Sequence, residues 1–229
     1  MFLASMPSVI KKAFPSLIWR MNNEDKVIHL TFDDGPIPET TRWILKTLDN
    51  FNAKATFFCV GDNVEKYPHL YNQILDKDHV VGNHTFNHLS GWKTETSDYV
   101  ENIYKAENLI SSDLFRPPHG LLKNSQIQAL KNNFKIIMWD VLSMDYEEKI
   151  SPLQCLKNVT NNAKNGSIIV FHDSIKAWKN LQYALPKTLE YFSELGYSFN
   201  SINLNKYQLP KPSIIESWMN SSYSRQLAS

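Results

Sequence analysis

This sequence predicts an α/β fold, a parallel sheet closed toward a distorted (β/α) barrel within a single domain. Three observations carry that expectation. Apolar runs alternate with amphipathic stretches, the runs are continuously apolar, and seven or so strand–helix units fit into 229 residues. Continuously apolar strands are buried on both faces, the condition of a parallel sheet covered by helices. That many units in this length favour barrel-like closure over a small open sheet.

The elements follow in order. Residues 26–32 read as a strand, 40–51 as a helix and 54–60 as a strand. Residues 63–76 are helical in pattern, but Pro68 lacks an amide hydrogen and forces a break or a new start. Next come a short strand at 79–82, a helix at 98–111, a short strand at 114–116 and a helix at 123–132. Residues 134–139 read as a strand, 152–163 as a helix with Pro152 in its first turn, and 167–171 as a very apolar strand. A helix at 181–195, with Pro186 near its start and Gly196 as its cap, precedes a last strand at 197–200.

The bulk properties narrow the function classes. Lys+Arg 24 against Asp+Glu 23 leaves no charge excess to recruit nucleic acid or an anionic membrane. Cys59 and Cys155 lie far apart without metal or redox spacing and read as two buried free thiols. No stretch is apolar enough to span a bilayer. The apolar first residues precede Lys11 and Lys12, the wrong order for a signal peptide, which leaves a cytoplasmic or a cell-envelope location open. Residues 8–21 carry Val9, Ile10, Phe14, Leu17, Ile18 and Trp19 and read as packing on the domain's own surface, with a membrane contact as the alternative.

The chemistry gathers after the strands. Asp33 and Asp34 follow the first strand, His84 and His88 the strand at 79–82, and Asp145 the strand at 134–139. Arg116 ends the strand at 114–116, and His172 ends the strand at 167–171. In a parallel sheet all of these meet at one rim. The HxxxH spacing of His84 and His88 aims two imidazoles at one point, whether on a helical turn or in a tight loop. With a carboxylate, such a pair leaves coordination positions open for water and substrate. Two adjacent carboxylates after a buried strand repel one another and cost desolvation. A turn or a helix cap explains one of them; a metal beside one, with the other free as a base, explains both.

At these residues the chain resembles the NodB-like polysaccharide deacetylases of carbohydrate esterase family 4, over roughly residues 27–200. Thr31-Phe32-Asp33-Asp34-Gly35-Pro36 and His84-Thr85-Phe86-Asn87-His88 match the first two motifs of that family. Arg116-Pro117-Pro118-His119-Gly120 is similar to the third, and Val170-Phe171-His172 to the last. The resemblance implies Asp33 as catalytic base and Asp34, His84 and His88 as metal ligands. It further implies Arg116 holding the base, the His119 backbone N–H facing the oxyanion, and His172 as general acid tuned by Asp145. It implies one divalent transition metal, zinc foremost with cobalt or nickel as alternatives, and an acetylated glycan as substrate of a monomer.

The reaction implied is water attack on an acetyl carbonyl, with Asp33 taking a proton and His172 returning one to the departing amine. The chain departs from the pattern at His119, where Tyr is usual, at Val170 for Leu, at Leu142 where Asp is common and at Tyr146 where Trp is common. These changes bear on the acetyl pocket and the substrate more than on the chemistry. Residues 1–24 then read as an N-terminal extension, 25–204 as the catalytic domain and 205–229 as a tail with a short helix at 214–219. His29 falls inside the first strand, while His69 and His79 read as surface or turn residues. Trp92, Tyr146 and Trp178 are candidates for stacking on sugar rings or, equally, for packing. The competing functions are a cyclic-amide hydrolase of the same fold, whose members tend to alter the ligands, and a glycan-binding pseudoenzyme with a broken base or acid.

Overall fold

The computed structural model describes residues 4–22 and 25–204. Eight strands form the sheet: β1 (Val27–Asp33), β2 (Thr56–Cys59), β3 (Val80–Asn83), β4 (Leu114–Phe115), β5 (Lys135–Ile136), β6 (Val141–Leu142), β7 (Ile168–His172) and β8 (Ser198–Phe199). All pair in parallel, in the order β5-β4-β3-β2-β1-β7-β6, with β8 beside the start of β1. The parallel sheet is as expected, and the distorted barrel takes the form of a half-barrel. The helices are α1 (Ser8–Ala13), α2 (Pro38–Asp49), α3 (Gly61–Lys66), α4 (Pro68–Asp76), α5 (Thr96–Glu107), α6 (Asn124–Leu130), α7 (Pro152–Thr160) and α8 (Trp178–Glu194).

The central strand β1 is buried along its whole length, although His29, Thr31 and Asp33 alternate with its apolar residues. Its pleat sorts the side chains. Phe32 stacks on Phe57 of β2, with centroids 5.1 Å apart, and on Phe171 of β7, at 6.2 Å, in an aromatic layer facing the helices. Thr31 and Asp33 point to the other face, where both meet Arg116.

Pro68 divides α3 from α4 as its missing amide requires. Pro152 opens α7, and the Ser151 hydroxyl accepts the Gln154 amide hydrogen at 3.1 Å. Pro186 lies well inside α8, which begins at Trp178 rather than near the proline. Burial of Leu181, Ala184, Leu185, Leu189 and Phe192 along one face outweighs the local cost, about 3 kcal/mol, of an internal proline.

The run expected as one strand at 134–139 is split. β5 keeps only Lys135–Ile136, and a strand not foreseen, β6, follows at Val141–Leu142. The Arg116 side chain donates to the carbonyls of Ile137 and Met138, at 3.2 and 3.0 Å, so those carbonyls leave the ladder. Ile137 pairs instead with Ile18, while Ser5 pairs with Val141 and Arg20 with Ser167. The N-terminal segment therefore runs between the open edges of the half-barrel, with Leu17, Ile18, Trp19 and Met21 buried in it rather than laid on the surface. His79 is also buried rather than at the surface, and His69 is exposed. Cys59 and Cys155 are buried free thiols. Among the described residues no helix is long and apolar enough to cross a membrane. The helix expected at 214–219 lies outside the described residues.

Candidate active site

The C-terminal ends of β1, β3, β4 and β7 border a cleft of about 640 Å³. Asp33, Asp34, His84, His88, His119 and His172 all line it. Arg116 and Asp145 lie beneath it, completely buried. The structure thus brings together all eight residues singled out in the sequence.

Arg116 is the largest fully buried side chain among the described residues, and each of its three nitrogens donates to an acceptor. Nη1 donates to Asp33 Oδ1 and to Thr31 Oγ1, both at 2.7 Å, and the other two nitrogens reach the two carbonyls named above. The guanidinium lies 4.1 Å from the Phe58 ring centroid. A buried pair held by four hydrogen bonds from the guanidinium is rigid, so the Asp33 carboxylate has one orientation.

Asp34 turns the other way, on a backbone with φ 81°. Its Oδ1 lies 3.6 Å from His84 Nε2 and 3.2 Å from His88 Nε2. Burial opposes ionisation of Asp34, but the neighbouring imidazoles of His84 and His88 hold its carboxyl well below the usual range. His84 Nδ1 donates to the Arg116 carbonyl at 2.8 Å, which leaves Nε2 as the lone-pair nitrogen facing Asp34. The donor atoms of Asp34, His84 and His88 lie within 4.8 Å of one another. Two ligand atoms about 2.1 Å from one tetrahedral ion stand roughly 3.4 Å apart, so one carboxylate and two imidazoles at these separations fit a zinc-like ion.

The HxxxH segment is a loop rather than a helical turn, with φ 65° at Thr85 and 58° at His88. Its backbone is fixed by neighbours. Asn83 Oδ1 accepts from Thr85 N at 2.8 Å and Asn102 Oδ1 from Phe86 N at 2.9 Å, while the carbonyls of Thr85 and Phe86 accept from Gly61 and Asp62. Asp34, Thr85, His88, His119 and Met144 all have positive φ and stand at or next to the cleft. Such conformations persist only where surrounding structure imposes them, and they cluster at functional sites.

On the opposite wall, His172 Nδ1 donates to Asp145 Oδ1 and His172 N to Asp145 Oδ2, both at 2.7 Å. Nε2 is thereby turned to the cleft. Burial acts to lower the pKa of His172, but the Asp145 carboxylate reverses this and raises it to about 9. The Tyr146 ring meets the imidazole edge-on at 4.8 Å, and Asn180 Nδ2 holds the Asp145 carbonyl at 2.9 Å.

His119 stands at φ 60° with its imidazole edge-on to His88, centroids 4.9 Å apart. The next residue, Gly120, also has positive φ, and a Cβ there would come within 2.4 Å of the Trp139 ring. Trp139, Leu142, Tyr146 and Val170 supply an apolar wall, so three of the four positions that depart from the family pattern face the cleft along this wall and the fourth, His119, lines it too. Of the three aromatics named for stacking, Tyr146 lines the cleft. Trp178 packs on Trp43 at 5.1 Å, and Trp92 is exposed with its indole N–H on the Leu122 carbonyl. Thr31, outside those eight residues, shares Arg116 with Asp33 and sits two residues before it on the same face of β1.

A family model described as polysaccharide deacetylase matches residues 20–134. A peptidoglycan-N-acetylglucosamine deacetylase of Bacillus cereus is 31% identical over 193 residues, covering 81% of this chain and 90% of that protein. The chain belongs to the polysaccharide deacetylase family. Within that family it is also 32% identical over 185 residues to a peptidoglycan-N-acetylglucosamine deacetylase of Listeria monocytogenes, of which it spans 38%. Among solved polysaccharide deacetylases, a peptidoglycan N-acetylglucosamine deacetylase in complex with 4-naphthalen-1-yl-N-oxidanyl-benzamide superposes with a TM-score of 0.78 at 30% identity. That match covers 91% of this chain and all of the other. A carbohydrate esterase family 4 pseudoenzyme of Bacillus anthracis superposes with a TM-score of 0.72 at 25% identity, over 82% of this chain and 68% of the other.

Proposed function

We propose that this chain is a metal-dependent hydrolase that removes the N-acetyl group from N-acetylglucosamine units of a peptidoglycan-type glycan. The observation that supports it most is the division of labour in one cleft. A buried arginine fixes Asp33, a carboxylate and two imidazoles converge beside it, and an Asp145-paired imidazole faces them.

Asp34, His84 and His88 hold the ion, and a divalent ion there, zinc foremost with cobalt or nickel as alternatives, supplies Lewis-acid polarisation and acidifies water. Asp33 takes the proton of the attacking water, its direction set by Arg116. The His119 backbone N–H donates to the oxygen on which negative charge develops. His172 gives its proton from Nε2 to the departing nitrogen, so the products are acetate and a free amine. The wall of Trp139, Leu142 and Val170 suits the acetyl methyl, and the Tyr146 ring suits a sugar face. An intact base and an intact acid argue against a binding-only role, and a complete ligand set argues against the cyclic-amide alternative.

The test is acetate release from N-acetylglucosamine oligomers and from peptidoglycan strands, before and after chelation and after return of zinc, cobalt or nickel. Release that stops on chelation and returns with metal supports the proposal. Full release after exhaustive metal removal, or none from any acetylated glycan with metal present, overturns it.

A further inference from the structure

Asp173 follows His172 and takes no part in the chemistry proposed above, yet it is completely buried. Its two carboxyl oxygens accept the hydroxyls of Thr40 and Thr41, one each, in the first turn of α2. Its backbone N–H donates to the Asp33 carbonyl at 2.7 Å. Gly35 is pressed against it so closely that a Cβ there would lie 2.1 Å from Asp173 Oδ2. Thr41 Oγ1 in turn accepts the Ile37 amide hydrogen at 2.7 Å.

Those contacts close on the turn that carries both aspartates. The Asp33 carbonyl is held by Asp173, the Asp34 carbonyl by Asn63 Nδ2 at 2.7 Å, the Gly35 carbonyl by Val60 N at 2.9 Å, and the Ile37 amide by Thr41. Asn63 and Val60 hold the turn from the β2 side, and Asp173 holds it from the β7 side. A buried carboxyl carries a desolvation cost that an apolar residue would avoid. Here the carboxyl spans two anchor points at once, the end of β7 and the start of α2, across a turn with a positive-φ aspartate at its centre.

We infer that Asp173 is a positioning residue that locks the turn at residues 33–37, so that Asp33 reaches Arg116 while Asp34 reaches His84 and His88. This rests on the assignment of Asp34 as a metal ligand. Groups that orient ligands from behind change metal affinity by about 10–100-fold when removed. Asp173→Ala and Thr41→Val should therefore each weaken zinc binding by about that range, measured on metal-free full-length protein against a chromophoric chelator. In both, kcat should fall while KM for the glycan stays near the parent value, and Thr41→Ser, which keeps the hydroxyl, should restore both readings.

Asp34→Asn is run beside them. Parental zinc affinity and kcat in folded Asp173→Ala, with affinity lost in Asp34→Asn, overturn the inference alone. Parental affinity in Asp34→Asn overturns the ligand assignment itself. If Asp173→Ala does not fold, the Thr41→Val and Thr41→Ser pair decides: equal zinc affinities in the two overturn the inference, and a loss confined to valine supports it.

Discussion

At the N-terminal end of the sheet, His29 lies within β1 and His79 just before β3, and burial pulls both down to about 4. At the C-terminal end, burial acts in the same direction on His172, yet Asp145 lifts it to about 9. His29 Nδ1 donates to the Asn200 carbonyl, and His79 Nδ1 accepts from the Ala55 amide. Neither arrangement stabilises an imidazolium as a carboxylate on the ring nitrogen does. Burial alone strips a histidine of its proton, and a carboxylate on the far nitrogen returns it. What separates the working end from the structural end is therefore whether a carboxylate meets the imidazole itself: Asp145 bonds the His172 ring, whereas Asp140, buried at the start of β7, is taken up by Ser167 Oγ and Ile168 N.

Removing a carboxylate from the working end should produce the largest effects. Asp33→Asn leaves Asp34, His84 and His88 untouched, so bound metal by elemental analysis should match the parent. Acetate release should nevertheless fall by about 10²–10⁴-fold, the usual contribution of a general base, and extra metal should not restore it. Asp34→Asn should do the reverse: metal content falls, and activity partly returns in excess metal. Amide variants that behave alike would reduce the aspartate pair to turn capping.

Asp145→Asn should turn His172 into a histidine of the other kind. The parent should be bell-shaped in pH, with His172 remaining an acid up to about 9. The folded value lies above the unfolded value of about 6.5, so the stability this pairing contributes is complete below about 6.5 and is lost as pH rises through about 9. Without the carboxylate, burial dominates and the alkaline limb of kcat should move down by more than about one pH unit. His79→Gln, at the opposite end of the sheet, should leave the limb where it is. A limb unmoved in Asp145→Asn would remove Asp145 as the source of the difference between the two ends.

Much of the working end was legible because each functional residue lies within a few positions of an apolar run. Strand direction then places Asp33, His84, Arg116 and His172 at one rim before any contact is known. The pairing of the N-terminal segment along the edges of the sheet was not legible in this way. Ile18, Ser5 and Arg20 pair with residues more than a hundred positions away, and no local pattern announces such pairing. β6 was hidden for a related reason, since Arg116 diverts the carbonyls that would have prolonged β5. The supporting polar residues Asn63, Thr41, Asp173 and Asn180 belong to no spaced motif. Each is recognisable only from what it holds. Two weak signals existed: Thr31 shares a strand face with Asp33, and Asp173 directly follows the histidine expected to be the acid.

The smallest effect is expected where this chain departs most visibly from its family, at His119. Its imidazole rests edge-on against His88, on the cleft side of the proposed ligand set. Burial and the neighbouring imidazoles of His88 and His84 lower its pKa. The role proposed for this position belongs to the backbone N–H, which His and Tyr supply equally. His119→Tyr should keep the left-handed turn at φ 60°, because Gly120 packed under Trp139 and its amide bond to the Pro117 carbonyl still define it. Turnover should then stay far from the roughly 10²–10³-fold loss that removal of an oxyanion donor causes. KM is the reading to watch, since exchanging an imidazole for a phenol at the rim alters only what touches the sugar. A turnover loss of that size, in a variant with parental metal content and an unchanged melting temperature, would move His119 from the substrate rim into the reaction. The working end would then contain a fourth imidazole that neither its spacing nor its family pattern assigns.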